Sequence, residues 1–122
     1  MSPAVIVTVL IAGAVGALLR YGVSLAFAGR SSFPAAVLVV NVVGSGLSGV
    51  LLGLAQLNHV SPEVDLILVT GLCGGLTTFS TWSVETMQLV FERRIGVAIV
   101  NVSLNLLLGL AAATVAYFAC GP

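Results

Sequence analysis

Apolar residues form four long blocks along the chain, and charged residues stand only between these blocks or near their ends. The uncharged stretches are 1–19, 31–58, 66–84 and 95–122. A helix needs about 20 residues to cross the hydrocarbon core of a membrane, so each block suffices for one span. The pattern therefore predicts an all-α integral membrane protein whose single domain has four transmembrane helices, at about 3–27, 33–57, 66–91 and 95–119.

The third block is interrupted in its middle by three glycines between positions 71 and 75. Glycine lowers the cost of leaving helical geometry. Five hydroxyl residues follow within 77–83. Non-helical backbone at membrane depth is tolerated only where protein or a polar cavity surrounds it. We therefore expect residues 71–85 to form a broken helix, with the break near Gly74-Thr78, that lines an ion or solute site.

Polar side chains in the second and fourth spans lie on single helix faces. Asn41, Ser45 and Ser48 share one face of the second span, and glycines suited to close packing form another face. Asn101 and Asn105 are four residues apart in the fourth span, where amides facing lipid would be costly. Both are expected to face protein or a pore. For Asn41, the residues alone leave an interhelical hydrogen bond and a place in a permeation path equally open.

Two charged residues lie late in the spans. Arg20 is near the end of the first span, and Glu85 is the one acid inside a span that is available to it. The arginine either snorkels to the lipid headgroups or forms a structural ion pair with Glu85. Glu85 is in turn a partner of Arg20, a regulator of conduction, or a residue close to the headgroups. These alternatives stay open at the level of sequence.

Composition excludes several classes of function. The chain is 59% hydrophobic and 7% charged, has no lysine and carries no net charge, so a nucleic-acid partner is not expected. It shows no nucleophile–base pair, carboxylate pair or phosphate-binding loop, so we expect no enzyme. The two cysteines and the lone His59 do not have the spacing of metal ligands.

Arginines in the loops indicate an orientation. The first and third loops hold Arg30, Arg93 and Arg94, whereas the second loop and the termini hold no lysine or arginine. The positive-inside rule places the first and third loops in the cytoplasm. A chain that inserts in both orientations should show almost no such bias. Because four helices enclose little volume, we also expect a dimer.

Two aromatic residues follow the predicted break. Phe79 and Trp82 are three residues apart, on one helix face, and hydroxyl residues flank both rings. Ring edges carry partial positive charge and hydroxyls donate hydrogen bonds. This mixture favours an anion path over packing alone.

Three strings of residues carry a resemblance to a known family. They are Gly13-Ala-Val-Gly-Ala-Leu-Leu-Arg-Tyr21, Asn41-Val-Val-Gly-Ser45 and, most specifically, Gly71-Leu-Cys-Gly-Gly-Leu-Thr-Thr-Phe-Ser-Thr81. On these strings the chain resembles the Fluc (CrcB) family of small fluoride channels over essentially its whole length.

The resemblance implies a dual-topology antiparallel dimer in the plasma (inner) membrane. Its partners would be fluoride, the lipid bilayer and a second subunit, identical or homologous. Fluoride would leave passively through two pores, which relieves its toxicity. A structural sodium ion at the dimer centre would be bound by the backbone carbonyls of Gly74 and Thr77. The residues implied in the fluoride pathway are Asn41, Phe79, Ser80, Thr81, Trp82, Ser83 and Asn105.

Three positions depart from the family pattern. Trp82 stands where the family usually has a second phenylalanine, although its indole N–H can donate a hydrogen bond. Asn101 and Asn105 stand where a tyrosine and a serine are expected; Asn105 can still donate to an anion. With the arginine bias, these departures leave a second reading open, in which the chain is the non-conducting half of a heteromeric channel.

A proton-coupled exporter of the small multidrug-resistance type is a further alternative, because such exporters share four short helices and antiparallel dimers. They use an essential glutamate in the first helix, and the first span here has no acid.

Overall fold

The structure is a computed structural model that describes residues 1–122. It contains five helical segments and no strand: α1 (Pro3–Phe27), α2 (Ala35–Gln56), α3 (residues 62–76), α4 (Ser80–Phe91) and α5 (Ile95–Cys120). α3 and α4 together form the third span, Pro62–Phe91. Four spans are thus long and apolar enough to cross a membrane, and the prediction of an all-α protein with four such helices is confirmed.

The third span has three kinds of helical geometry. It starts at Pro62, four residues before the predicted start, because the Ser61 hydroxyl accepts a hydrogen bond from the Val64 N–H at 3.3 Å. The segment Leu66–Cys73 is a π-helix, a form that is rare and frequently lies at functional sites. One α-helical turn, Gly74–Leu76, follows. The chain then leaves helical geometry at residues 77–79, within and just after the region where the break was predicted.

The glycines of the third span do not unwind it, which corrects the expectation from sequence. Gly71, Gly74 and Gly75 are all helical. A Cβ atom at Gly75 would overlap the backbone of Gly13 in α1, and one at Gly71 would come within 2.8 Å of the Val9 carbonyl oxygen. Small residues of this kind let two membrane helices approach closely. The absence of a side chain at Gly71 and Gly75 therefore allows α3 to pack closely against α1.

The two halves of the third span pack against different helices. α1 packs along α3, and α2 packs along α5, while α4 lies on α5. The predicted glycine face of α2 is part of this packing, because a Cβ at Gly49 or Gly53 would overlap the backbone of α5 near Ala113 or Tyr117. The break therefore lies between α3, which packs on α1, and α4, which packs on α5.

The outer surface of the subunit is apolar. Leu10, Leu18 and Leu110 are each more than two-thirds exposed, and only 17 of 122 residues are buried. Outward-facing leucines on helices of this length suit contact with lipid chains. The chain is a multi-pass membrane protein.

Candidate functional site

Asn41 holds the break in the third span. Its side-chain oxygen accepts a hydrogen bond from the Thr78 N–H at 2.8 Å, and its amide nitrogen donates to the Thr78 carbonyl at 3.1 Å. In a continuous α-helix the Thr78 N–H would donate to the carbonyl of Gly74. The Asn41 amide thus replaces the helical partners of the Thr78 peptide groups, which explains how non-helical backbone persists inside the protein.

Thr78 also starts the next helix. Its hydroxyl accepts a hydrogen bond from the Thr81 N–H at 3.1 Å and lies 3.3 Å from the Ser80 hydroxyl. The first N–H groups of a helix have no helical acceptor, so a hydroxyl at this place stabilises the start of α4. Thr78 is itself buried. The break is therefore short, and side chains satisfy its backbone groups: Asn41 pairs with the Thr78 peptide groups, and the Thr78 hydroxyl accepts from the Thr81 N–H.

Three asparagines and a threonine form a continuous chain of hydrogen bonds, here named the amide ladder (Asn41, Asn105, Asn101 and Thr86). The Asn41 nitrogen donates to the Asn105 side-chain oxygen at 3.0 Å. The Asn105 nitrogen donates to the backbone and side-chain oxygens of Asn101 at 2.9 and 3.1 Å. The Asn101 nitrogen donates to the Thr86 hydroxyl at 3.0 Å. Each amide nitrogen of the ladder thus has an acceptor within the subunit.

An uncharged cavity of about 460 Å³ lies beside the break. Its polar and aromatic lining includes Asn41, Ser45, Thr78, Phe79, Trp82 and Asn105. No charged side chain lines it. A smaller cavity of about 250 Å³ touches the same two rings and is also lined by Ser83 and Thr86. Ions in such a space would meet dipoles and ring edges rather than full charges.

The two rings beside the break contact each other edge to face. The centroids of Phe79 and Trp82 are 5.5 Å apart and their planes cross at 76°. Phe79 is 74% exposed on the subunit. The Trp82 indole nitrogen is buried and has no hydrogen-bond partner. A buried donor without a partner is costly, and a group that accepted a hydrogen bond from it would remove that cost.

The predicted pathway residues separate into three groups. The larger cavity brings together Asn41, Phe79, Trp82 and Asn105. Ser83 lines the smaller cavity, and its hydroxyl donates to the Phe79 carbonyl at 2.8 Å. Ser80 and Thr81 line neither of these two cavities. The Ser80 hydroxyl instead lies beside the Thr78 hydroxyl, which accepts a hydrogen bond from the Thr81 N–H.

Gly74 and Thr77 both line the larger cavity. The hydrogen bonds of the subunit include no donor to either backbone carbonyl. The Thr78 N–H, which would donate to Gly74 in a continuous helix, donates to Asn41, and the Thr81 N–H, which would donate to Thr77, donates to the Thr78 hydroxyl. The Thr77 hydroxyl likewise donates to the Cys73 carbonyl, at 2.9 Å. Carbonyl oxygens without donors are ligands of the type that alkali cations accept. The two carbonyl oxygens, of Gly74 and Thr77, therefore suit the sodium ion that the resemblance implies.

Arg20 does not pair with Glu85 within the subunit, so the ion pair, one of the alternatives that the sequence leaves open, is not formed there. Its Nε donates to the Gly75 carbonyl at 3.2 Å, near the end of α3 where carbonyls lose their helical donors. The one ion pair of the subunit joins Arg94 to Glu92 at 3.8 Å. Arg20 instead stabilises the carbonyl end of the helix before the break.

Comparison with known proteins decides the family. Residues 7–117 match the family model described as CrcB-like protein, Camphor Resistance (CrcB). The chain belongs to this family. A curated CrcB relative, the fluoride-specific ion channel FluC of Shewanella sp. (strain W3-18-1), is 46% identical over 103 residues, or 83% of each chain. The FluC protein of Shewanella frigidimarina is 45% identical over 105 residues, 84% of this chain and 85% of the relative.

These CrcB relatives are named as ion channels, so the prediction that the chain is not an enzyme is confirmed. The identification also confirms the resemblance drawn from the three sequence strings.

Two residues of this CrcB chain acquire a role only in the structure. Asn101 was assigned to no pathway, yet it is 1% exposed and lies in the amide ladder. Its spacing from Asn105 was the one signal in the sequence. Thr86 gave no signal, because nothing in its neighbourhood distinguishes it from the other hydroxyl residues of the span.

Proposed function

We propose that the chain is a subunit of a fluoride-selective channel through which fluoride leaves the cell passively, across the plasma membrane, so that its toxicity is relieved. The observation that carries the proposal is the uncharged cavity at the helix break, where hydrogen-bond donors and ring edges converge. The printed names of the curated relatives agree with it. No residue of α1 is acidic, so the chain lacks the first-helix glutamate on which the exporter alternative depends.

The mechanism follows from the hydration of the ion. Fluoride is small and strongly hydrated, so a pore must replace its water with donors without binding the ion too tightly to release it. The buried Trp82 N–H, which has no partner, supplies a donor, and the edges of Phe79 supply partial positive charge. The Ser45 hydroxyl, which donates to no protein group, is a further donor in the cavity. An uncharged lining keeps binding weak.

The amides of Asn41 and Asn105 contribute differently from these free donors. Their nitrogen atoms already donate within the amide ladder. A hydrogen bond from either amide to fluoride therefore exchanges one protein acceptor for the ion. We propose that the two asparagines line the path and orient the break, and donate to fluoride only through such an exchange.

An antiparallel second subunit completes the pathway in this proposal. The largely exposed Phe79 offers a surface that such a subunit would cover. The loop arginines lie at one end of the subunit, and Glu63 and Asp65 lie at the other. An antiparallel copy would place opposite charges on the same side of the membrane.

The backbone carbonyls of Gly74 and Thr77, from both subunits, would bind the structural sodium ion. One subunit offers two such ligands, which is too few for an alkali cation, and a symmetric pair offers four. Gly74 is exposed on the subunit, as this requires. When bound, sodium adds positive charge near the anion path and links the two breaks.

A heteromeric channel, with this chain as the non-conducting half, is the second candidate. The observation that favours it is the arginine bias of the first and third loops, which predicts a single orientation. The heteromer and the homodimer are distinguished by two fusions to the C-terminus. One carries a phosphatase that is active only outside the cytoplasm, and the other carries a fluorescent protein that is active only inside it. Signal from the phosphatase alone supports a heteromer; signal from both supports a homodimer.

The channel itself is tested by fluoride efflux from liposomes that contain this protein alone, read with a fluoride electrode. Chloride efflux and a Phe79→Ile variant are the controls. Rapid fluoride-selective efflux that the variant lacks supports a self-sufficient channel. No efflux from well-folded protein would contradict the homodimer and leave the heteromeric candidate.

A further inference from the structure

Asn101 lies at the centre of the amide ladder without lining the main cavity. It is the most deeply buried polar residue of the chain, at 1% exposure. Its side chain connects two structural parts that the proposed pathway needs in fixed positions: the helical turn that carries Trp82 and the break that contains Phe79.

The first connection runs to α4. The Asn101 amide nitrogen donates to the Thr86 hydroxyl at 3.0 Å, and that hydroxyl donates to the Trp82 carbonyl at 2.7 Å. A threonine hydroxyl bonded to the carbonyl four residues earlier is common in membrane helices. The added bond from Asn101 fixes this hydroxyl to α5, and with it the turn that holds the indole ring.

The second connection runs to the break. The Asn101 side-chain oxygen accepts from Asn105, and the Asn105 oxygen accepts from Asn41. Asn41 then holds both peptide groups of Thr78, the residue before Phe79. Both rings are thus connected to one buried amide in α5.

Little else fixes α4 within the subunit. Its main packing partner is α5, and the other long helices contact it weakly. In a membrane, apolar side chains gain little by leaving lipid for one another, so packing and hydrogen bonds set the helix position. Loss of one ladder bond would also leave a buried amide without a partner. The position of α4 should therefore respond to the ladder.

We propose that Asn101 is a positioning residue for the two pore rings, acting on Trp82 through Thr86 and on Phe79 through Asn105 and Asn41. The proposal rests on the proposed channel function for its effect on permeation. Its effect on the ring position does not depend on that function.

The test uses Trp82 as a reporter, because it is the single tryptophan of the chain. Thr86→Val keeps the side-chain shape and removes the hydroxyl, and Thr86→Ser restores it. Thr8→Val is the matched control, since the Thr8 hydroxyl makes the same type of bond, to Ala4 at 2.8 Å, but belongs to no ladder. Emission maxima and acrylamide quenching are measured in detergent, and fluoride efflux in liposomes.

Thr86→Val is expected to shift the Trp82 emission and to lower fluoride efflux about threefold, which corresponds to a membrane hydrogen bond of average strength. Thr86→Ser and Thr8→Val should match the wild type in both readouts. Should Thr86→Val match Thr8→Val, the proposal is overturned. A shifted emission with unchanged efflux, in a protein that conducts, overturns the claim that the ladder affects permeation. If the wild type does not conduct, the emission comparison alone decides the positioning.

A double-mutant cycle separates one connected network from two packing defects. Asn101→Ala removes the donor to Thr86 but keeps the backbone carbonyl that Asn105 also uses. If the residues act as a unit, the double variant with Thr86→Val should shift emission no more than the larger single variant does. Additive effects would overturn the proposal. Asn101→Ala also replaces Thr86→Val in the first comparison if the latter does not fold.

Discussion

One side chain makes the helix break possible. Asn41 supplies an acceptor and a donor to the Thr78 peptide groups, at 2.8 and 3.1 Å, so that backbone deprived of helical partners stays paired. The break is therefore stabilised from α2 and not by the flexibility of its own residues.

Asn41→Leu should lower the thermal stability of the purified subunit. The leucine has a similar size but leaves the Thr78 N–H and carbonyl unpaired, at about 1–3 kcal/mol for a buried group. Thermal unfolding in detergent measures the change. Ser45→Ala is the control, because Ser45 lines the same cavity on the same helix face and makes no hydrogen bond to protein. An Asn41→Leu protein as stable as the Ser45→Ala protein would contradict the role of Asn41 in stabilising the break.

Trp82→Phe should remove a donor that has no partner in the subunit. Without fluoride, the variant is expected to be at least as stable as the wild type, because burying an unpaired N–H costs about 1–3 kcal/mol. Added fluoride should then stabilise the wild type more than the variant, since a ligand stabilises the state to which it binds. Unfolding temperatures in sodium fluoride and sodium chloride, at equal sodium, give the comparison. Equal stabilisation of both proteins would show that the indole N–H does not meet the ion.

At the scale of helices, close packing of α1 against α3 depends on glycines, which have no side chain. Gly75→Ala should destabilise the subunit by about 1–3 kcal/mol, because the added methyl group overlaps the Gly13 backbone. Gly22→Ala, also in a helix, meets nothing within 4 Å and should leave stability unchanged or raise it by up to about 1 kcal/mol. Thermal unfolding of the two variants tests the pair. The packing role is wrong if they behave alike.

The sequence was sufficient for the number of spans, because the spacing of its charges leaves stretches long enough to cross a membrane. It also indicated the region of the break, where glycines and then hydroxyl residues interrupt an apolar stretch. It was insufficient for the role of Gly71 and Gly75, which depends on the helix that faces them. The partner of Arg20 was also missed, since a carbonyl at a helix end leaves no mark in the sequence. Contacts between distant segments, such as Asn101 with Thr86, likewise need the fold.

For the whole molecule, the sodium proposal predicts that stability depends on the cation. Replacing sodium with N-methylglucamine should lower the unfolding temperature of the purified protein, because a bound ion stabilises the folded state by mass action. Sodium added back should restore it. A protein equally stable in both media, at equal ionic strength, would argue against a site at the Gly74 and Thr77 carbonyls. Choline serves as a second non-binding control cation.

The central claim is passive, fluoride-selective permeation, and the most direct test is the reversal potential of current through the purified protein in a planar bilayer. Fluoride is given in unequal concentrations on the two sides, with equal chloride, and the measurement is repeated with a pH difference. We predict reversal at the fluoride equilibrium potential, unchanged by the pH difference. Reversal that follows the chloride or proton gradient would contradict the claim.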